Sequence, residues 1–113
     1  MKMLDFNAIQ HPTWPIKLKD DEQTLVTLSA PSTELIDRLL AVAPELTAAA
    51  EAKDSKTIKA MYKLVAEVMN FNEDGFTFTA DELRGKYRFT LLDLFKFVAG
   101  YLEFIAEMQN AKN

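Results

Sequence analysis

Cysteine is absent from all 113 residues, so disulfides, thiolate metal sites and cysteine nucleophiles are excluded together. Histidine occurs once, as His11 between Gln10 and Pro12, and a single imidazole has no second one with which to share a metal or relay a proton. Its expected place is the surface. Three glycines are too few for a phosphate-cradling loop, and no Ser or Thr sits in a nucleophile-elbow pattern. Long apolar runs are missing, since no window approaches the roughly 18 residues of a membrane span. Met1 to Gln10 lacks the basic region and apolar stretch of an export signal, so the expectation is a soluble, unexported protein with no membrane partner. Clustered basic residues are also missing. With 17 acidic against 13 scattered basic residues and a net charge of −4, a nucleic-acid partner is not expected.

What is present suits one folded domain, residues 1–113, with 49% hydrophobic residues to supply a core. The pattern predicts an α+β fold, mainly α, with a short N-terminal β-hairpin followed by a bundle of about four helices. Residues 1–15, "MKMLDFNAIQHPTWP", carry two prolines and no sustained period and read as an extended arm. Residues 16–28 read as the hairpin, with Ile16–Lys19 and Thr24–Leu28 alternating around the acidic loop Asp20–Gln23. The helical part spans 32–109. Ser32 is the expected N-cap of a first helix that Pro44 should kink or divide. Ile58, Met61, Tyr62, Val65, Val68 and Met69 line one face of a second. A short helix ends near Gly85, "KYRF" is expected to be extended, and Thr90 with Asp93 opens a last helix to about Gln109. Val65, Leu94, Val98 and Leu102 are predicted core residues.

Two stretches invite chemical readings. In "NFNEDGFTFTADEL", Gly75 at position 6 of an EF-hand loop would place Asn70, Asn72 and Asp74 at positions 1, 3 and 5 and Asp81 at position 12. The apolar Phe78 and the longer Glu82 each arrive one residue late, and "TADE" is itself a capping box in which Thr79 and Glu82 serve a helix start. The spacing favours a turn; a degenerate EF-hand-like calcium-binding or purely structural small domain is the alternative reading of the chain as a whole. Acid–base pairs could be drawn from Asp20, Asp21 and Glu22 or from Glu103 and Glu107, but no nucleophile or oxyanion site accompanies them, so neither catalysis nor a cofactor is expected.

The last helix, "TLLDLFKFVAGYLEFIAEMQN", exceeds what a surface helix needs. At 100° per residue its apolar side chains cover about 240°, where about 100° is usual for a small domain. The excess fits either a central core helix or one whose margin is an oligomer or partner surface. Phe97 and Phe104 lie together at one margin and are the expected partner-binding anchors. Trp14, stiffened by Pro12 and Pro15, suits a partner anchor or, preferably, a clamp on its own domain.

The layout from Ser29 to about Met108 resembles the small tail assembly chaperones of long-tailed bacteriophages and prophages. The resemblance is carried by the "SAPSTELIDRLL" entry to the first helix, the "VAEVMNFNEDG" helix end and the aromatic closing "YLEFIAEM". It implies a non-enzymatic role in virion assembly in the host cytoplasm. Such chaperones bind the tape measure protein, a long helical chain, and keep it soluble until major tail protein polymerises around it. The resemblance assigns no individual residue; the homo-oligomer expected as an alternative partner rests on the wide apolar arc of the last helix.

Overall fold

A computed structural model describes residues 3–4 and 12–110 of the chain. Most of the expected arm, His11 included, lies outside the described residues. The order is β1 (Trp14–Lys17), β2 (Leu25–Leu28), α1 (Thr33–Ala52), α2 (Ser55–Met69), α3 (Ala80–Gly85) and α4 (Leu91–Asn110). This is the hairpin-plus-four-helix, mainly α architecture that the pattern predicts.

The hairpin is antiparallel, with Trp14 opposite Leu28 and Lys17 opposite Leu25. Its first strand starts two residues earlier than the alternation suggests and so takes Trp14 and Pro15 from the arm. Pro15 is tolerated because β1 is an edge strand, where a missing N–H costs no ladder bond. Asp20 closes the loop by accepting hydrogen bonds from the amide and hydroxyl of Thr24. Those bonds hold its carboxyl below the ordinary value. Val26 and Leu28 point into the core.

The other edge of β2 is covered by the segment after α2. Phe71 O accepts from Ser29 N at 2.8 Å, Glu73 N donates to Thr27 O at 2.9 Å, and Asp74 Oδ2 accepts from Thr27 N at 2.6 Å. A two-stranded hairpin is marginal alone, and this third backbone segment ties it to the helices.

Ser32 caps α1 as expected, accepting from Leu35 N at 3.2 Å. Pro44 does not divide the helix, which runs unbroken to Ala52. Pro44 is exposed, so the carbonyl it leaves unpaired can reach water, while Leu35, Leu39, Leu46 and Ala49 anchor the buried face on both sides of it. Lys53 ends α1 in the left-handed region at φ 56°, and Asp54 at once caps α2 through the Lys56 and Thr57 amides. "KYRF" is not extended. Tyr87 N and Phe89 N turn back onto Glu82 O and Leu83 O, and Arg88 takes φ 55°.

The central helix is α2. It touches each of the other three helices. Its buried residues Met61, Tyr62, Leu64, Val65, Ala66, Val68 and Met69 span about 200° of its circumference at 100° per residue. Helix α4 buries Leu94, Phe97, Val98, Tyr101, Phe104 and Ile105, an arc of only about 120°. Of the predicted core residues, Val65, Leu94 and Val98 are buried, whereas Leu102 is half-buried. No helix among the described residues is long and apolar enough to cross a membrane.

Candidate protein-binding surface

The wide apolar arc of α4 has two margins, and tertiary packing treats them differently. On the first, the Trp14 indole lies over the helix with ring-centroid distances of 5.6 Å to Phe97, 6.2 Å to Tyr101 and 6.1 Å to Phe104. The indole fits there because residue 100 is glycine. A Cβ at that position would stand 2.7 Å from Trp14 Cζ2 and 2.9 Å from Cη2. Phe97 stacks on Tyr101 at 5.8 Å, and Phe104 meets Tyr101 edge-on at 6.0 Å.

Phe97 and Phe104 are 6% and 5% exposed. As surface anchors they are therefore a misassignment: they belong to the core, beneath Trp14, which acts as the intramolecular clamp. Tyr101 is wholly buried at the centre of this cluster. Its hydroxyl has no hydrogen-bond partner among the described residues, and burial pushes its ionisation far up.

The opposite margin is uncovered. Leu92 is 63% exposed, Ala99 and Ala106 are exposed, and Phe95 and Leu102 are half-buried. These five residues recur at alternating spacings of three and four, the interval at which one face of a helix meets another helix. By sequence alone the more aromatic margin, with Phe97 and Phe104, is the stronger candidate. The repeat was legible, but two small alanines made it weaker in hydropathy, and nothing local marked which side Trp14 would occupy.

The N-terminus of α4 is fixed to the hairpin. Asp93 Oδ2 accepts from Thr90 N at 2.7 Å and from Lys19 Nζ at 2.6 Å, and Arg88 donates to Lys19 O at 2.9 Å. Burial alone would raise the Asp93 carboxyl, but the hydrogen bonds from Lys19 and Thr90 outweigh it and hold it below its ordinary 3.8. A depressed carboxylate stabilises the fold above its unfolded value and ceases to do so as pH falls through the folded one, so this tie loosens only below pH 3.8.

Three of the four EF-hand-like positions, Asn70, Asn72 and Asp74, have side-chain oxygens committed to backbone amides. Asn72 Oδ1 accepts from Asp74 N and Phe76 N, each at 3.0 Å, and its Nδ2 donates to Met69 O and Phe76 O. Asn70 pairs through both amide atoms with the backbone of Phe78. Asp74 holds the hairpin edge, and Asp81 is exposed in the first turn of α3. Glu82 and Thr79 make both bonds of the capping box, at 3.2 and 3.1 Å. Gly75, at φ +78°, supplies the left-handed turn.

The loop is thus a clip between α2, β2 and α3. Asn72→Ala should cost about 2 kcal/mol, because it strips the partners from four backbone groups at once. The denaturation midpoint measures this, and an unchanged midpoint would show that water replaces the amide without loss.

No family model matches the chain, and neither curated proteins nor solved structures give a match. Helix α4 presents a rigid, helically spaced apolar margin about 21 Å long, taking 1.5 Å per residue from Leu92 to Ala106. One flank carries Lys96 and Glu103, both exposed and without an ion-pair partner among the described residues.

Proposed function

We propose that this chain is a non-catalytic protein-binding module, a tail assembly chaperone that holds the tape measure protein in the host cytoplasm during virion assembly. The observation that carries the reading is the uncovered margin Leu92, Phe95, Ala99, Leu102 and Ala106 on α4. A tape measure protein is a long helix with repeating apolar ridges, and such ridges pack on a partner face of the same three-four spacing. Ala99 and Ala106 allow close approach, and Leu92 and Phe95 supply the larger contacts. A narrow stripe gives modest affinity, which suits a partner that major tail protein must later displace.

The test is co-expression with the tape measure protein of the same phage or prophage. The wild-type chain should keep that protein in the soluble fraction. Leu92→Glu with Ala99→Glu, both at exposed helix positions, should leave circular dichroism and cooperative unfolding intact yet weaken binding more than about tenfold, or 1.4 kcal/mol. Undiminished binding by the double variant would move the client surface off α4. A tape measure protein that stays insoluble with the wild-type chain would remove the chaperone reading itself.

A further inference from the structure

The flank of the exposed α4 margin is self-complementary. Lys96 and Glu103 lie one heptad apart on the same side of the stripe, and neither has a charge partner among the described residues. In two antiparallel helices related by a two-fold axis, like flanks meet each other. If the axis passes at Ala99, then Lys96 of each copy lies within about one residue rise, ~1.5 Å, of the height of Glu103 in the other. Two opposite-charge pairs then form. Leu92 comes opposite Ala106, and Phe95 falls within one residue of Leu102, so large side chains meet small or flexible ones. Ala99, one of the two smallest side chains of the set, sits at the crossing, where the axes are closest.

The neighbouring registers are worse. Centring the axis on Lys96 or on Glu103 sets like charges against each other. Parallel pairing brings opposite flanks together and leaves both residues without a partner.

We infer that a second copy of this chain covers the α4 margin, in an antiparallel pairing centred on Ala99 and selected by reciprocal Lys96–Glu103 contacts. The inference deepens the proposed function, because it places a homodimer on the surface where the client would bind. An unloaded chaperone with an apolar helix margin would otherwise face the solvent. A second copy hides it through few contacts, so a tape measure helix can displace that copy by mass action. Self-association and client binding then compete for one surface.

Sedimentation of the full chain over a dilution series tests this directly. The wild-type protein should be a reversible dimer. Lys96→Glu alone, or Glu103→Lys alone, converts two attractive contacts into two repulsive ones and should weaken dimerisation about tenfold or more. The two reversals together should restore it to within about threefold, since the pairs re-form with exchanged signs. Both side chains are exposed, so the thermal midpoint of the variants at low concentration should match the wild type.

An independent reading uses the absence of native cysteine. Ala99→Cys should be crosslinked to a dimer by a short bismaleimide, whereas two copies of Leu92→Cys would lie about 21 Å apart in this register and should not be. A monomer at every concentration overturns the inference, as does a double reversal that stays folded without regaining the dimer. If the dimer passes but the tape measure protein does not compete with it, the inference stands and the chaperone reading falls. Client binding by a strictly monomeric chain gives the reverse.

Discussion

Replacing Phe97 and Phe104 together by Ser should unfold the protein. Both rings are almost wholly buried, and both meet Tyr101 and the Trp14 indole at 5.6 to 6.1 Å. Removing one buried aromatic ring costs about 3–5 kcal/mol, and serine adds a hydroxyl with no acceptor provided. Two such losses approach the whole stability of an ordinary small domain, about 5–15 kcal/mol. Leu102→Ala, by contrast, should cost under about 2 kcal/mol, because its side chain is only half-buried. Circular dichroism with denaturant titration separates the two cases. A double serine variant that unfolds cooperatively near the wild-type midpoint would mean that the aromatic cluster adds little to the fold.

The second large effect concerns the contact between Trp14 and Gly100. Trp14→Ala should destabilise the protein by about 3 kcal/mol, the low end for truncating a packed aromatic, because the indole is itself only partly buried. Gly100→Ala makes a sharper test, since its two consequences have opposite signs. In the middle of a helix, alanine is better than glycine by about 1 kcal/mol. Here its Cβ would fall 2.7 Å from Trp14 Cζ2, so the indole must move and uncover Phe97 and Phe104.

With Trp14 in place, Gly100→Ala should therefore destabilise, by about 1–3 kcal/mol as in other overpacked sites. In the Trp14→Ala background it should stabilise by up to about 1 kcal/mol. The double-mutant cycle reads the sign change, and additivity would show that the indole does not lie on this helix face. Trp14 is the chain's sole tryptophan, so its fluorescence should also shift in Gly100→Ala as the indole moves toward water.

The same contact explains what was readable without a structure. Local signals were legible because they act within a few residues. Ser32 and the Thr79–Glu82 box cap their helices where the sequence places them, the hairpin and its Asp20 turn form, and the Asn70–Gly75 turn follows α2. Each rests on short-range hydrogen bonding or backbone preference, which a chain carries with it before it folds.

The hydrophobic pattern also determined that α4 carries more apolar surface than a small domain hides, but it could not say which part is left over. Both margins of that arc have the same helical period, and the more aromatic one looked like the better interface. Only the tertiary structure decided otherwise, by bringing Trp14 from a strand more than eighty residues earlier onto Gly100 and closing over Phe97 and Phe104. Likewise α2 became the central helix because three others pack around it. Periodicity reports that a face is apolar. What covers the face depends on contacts between residues far apart in the chain, and these leave no mark on local sequence.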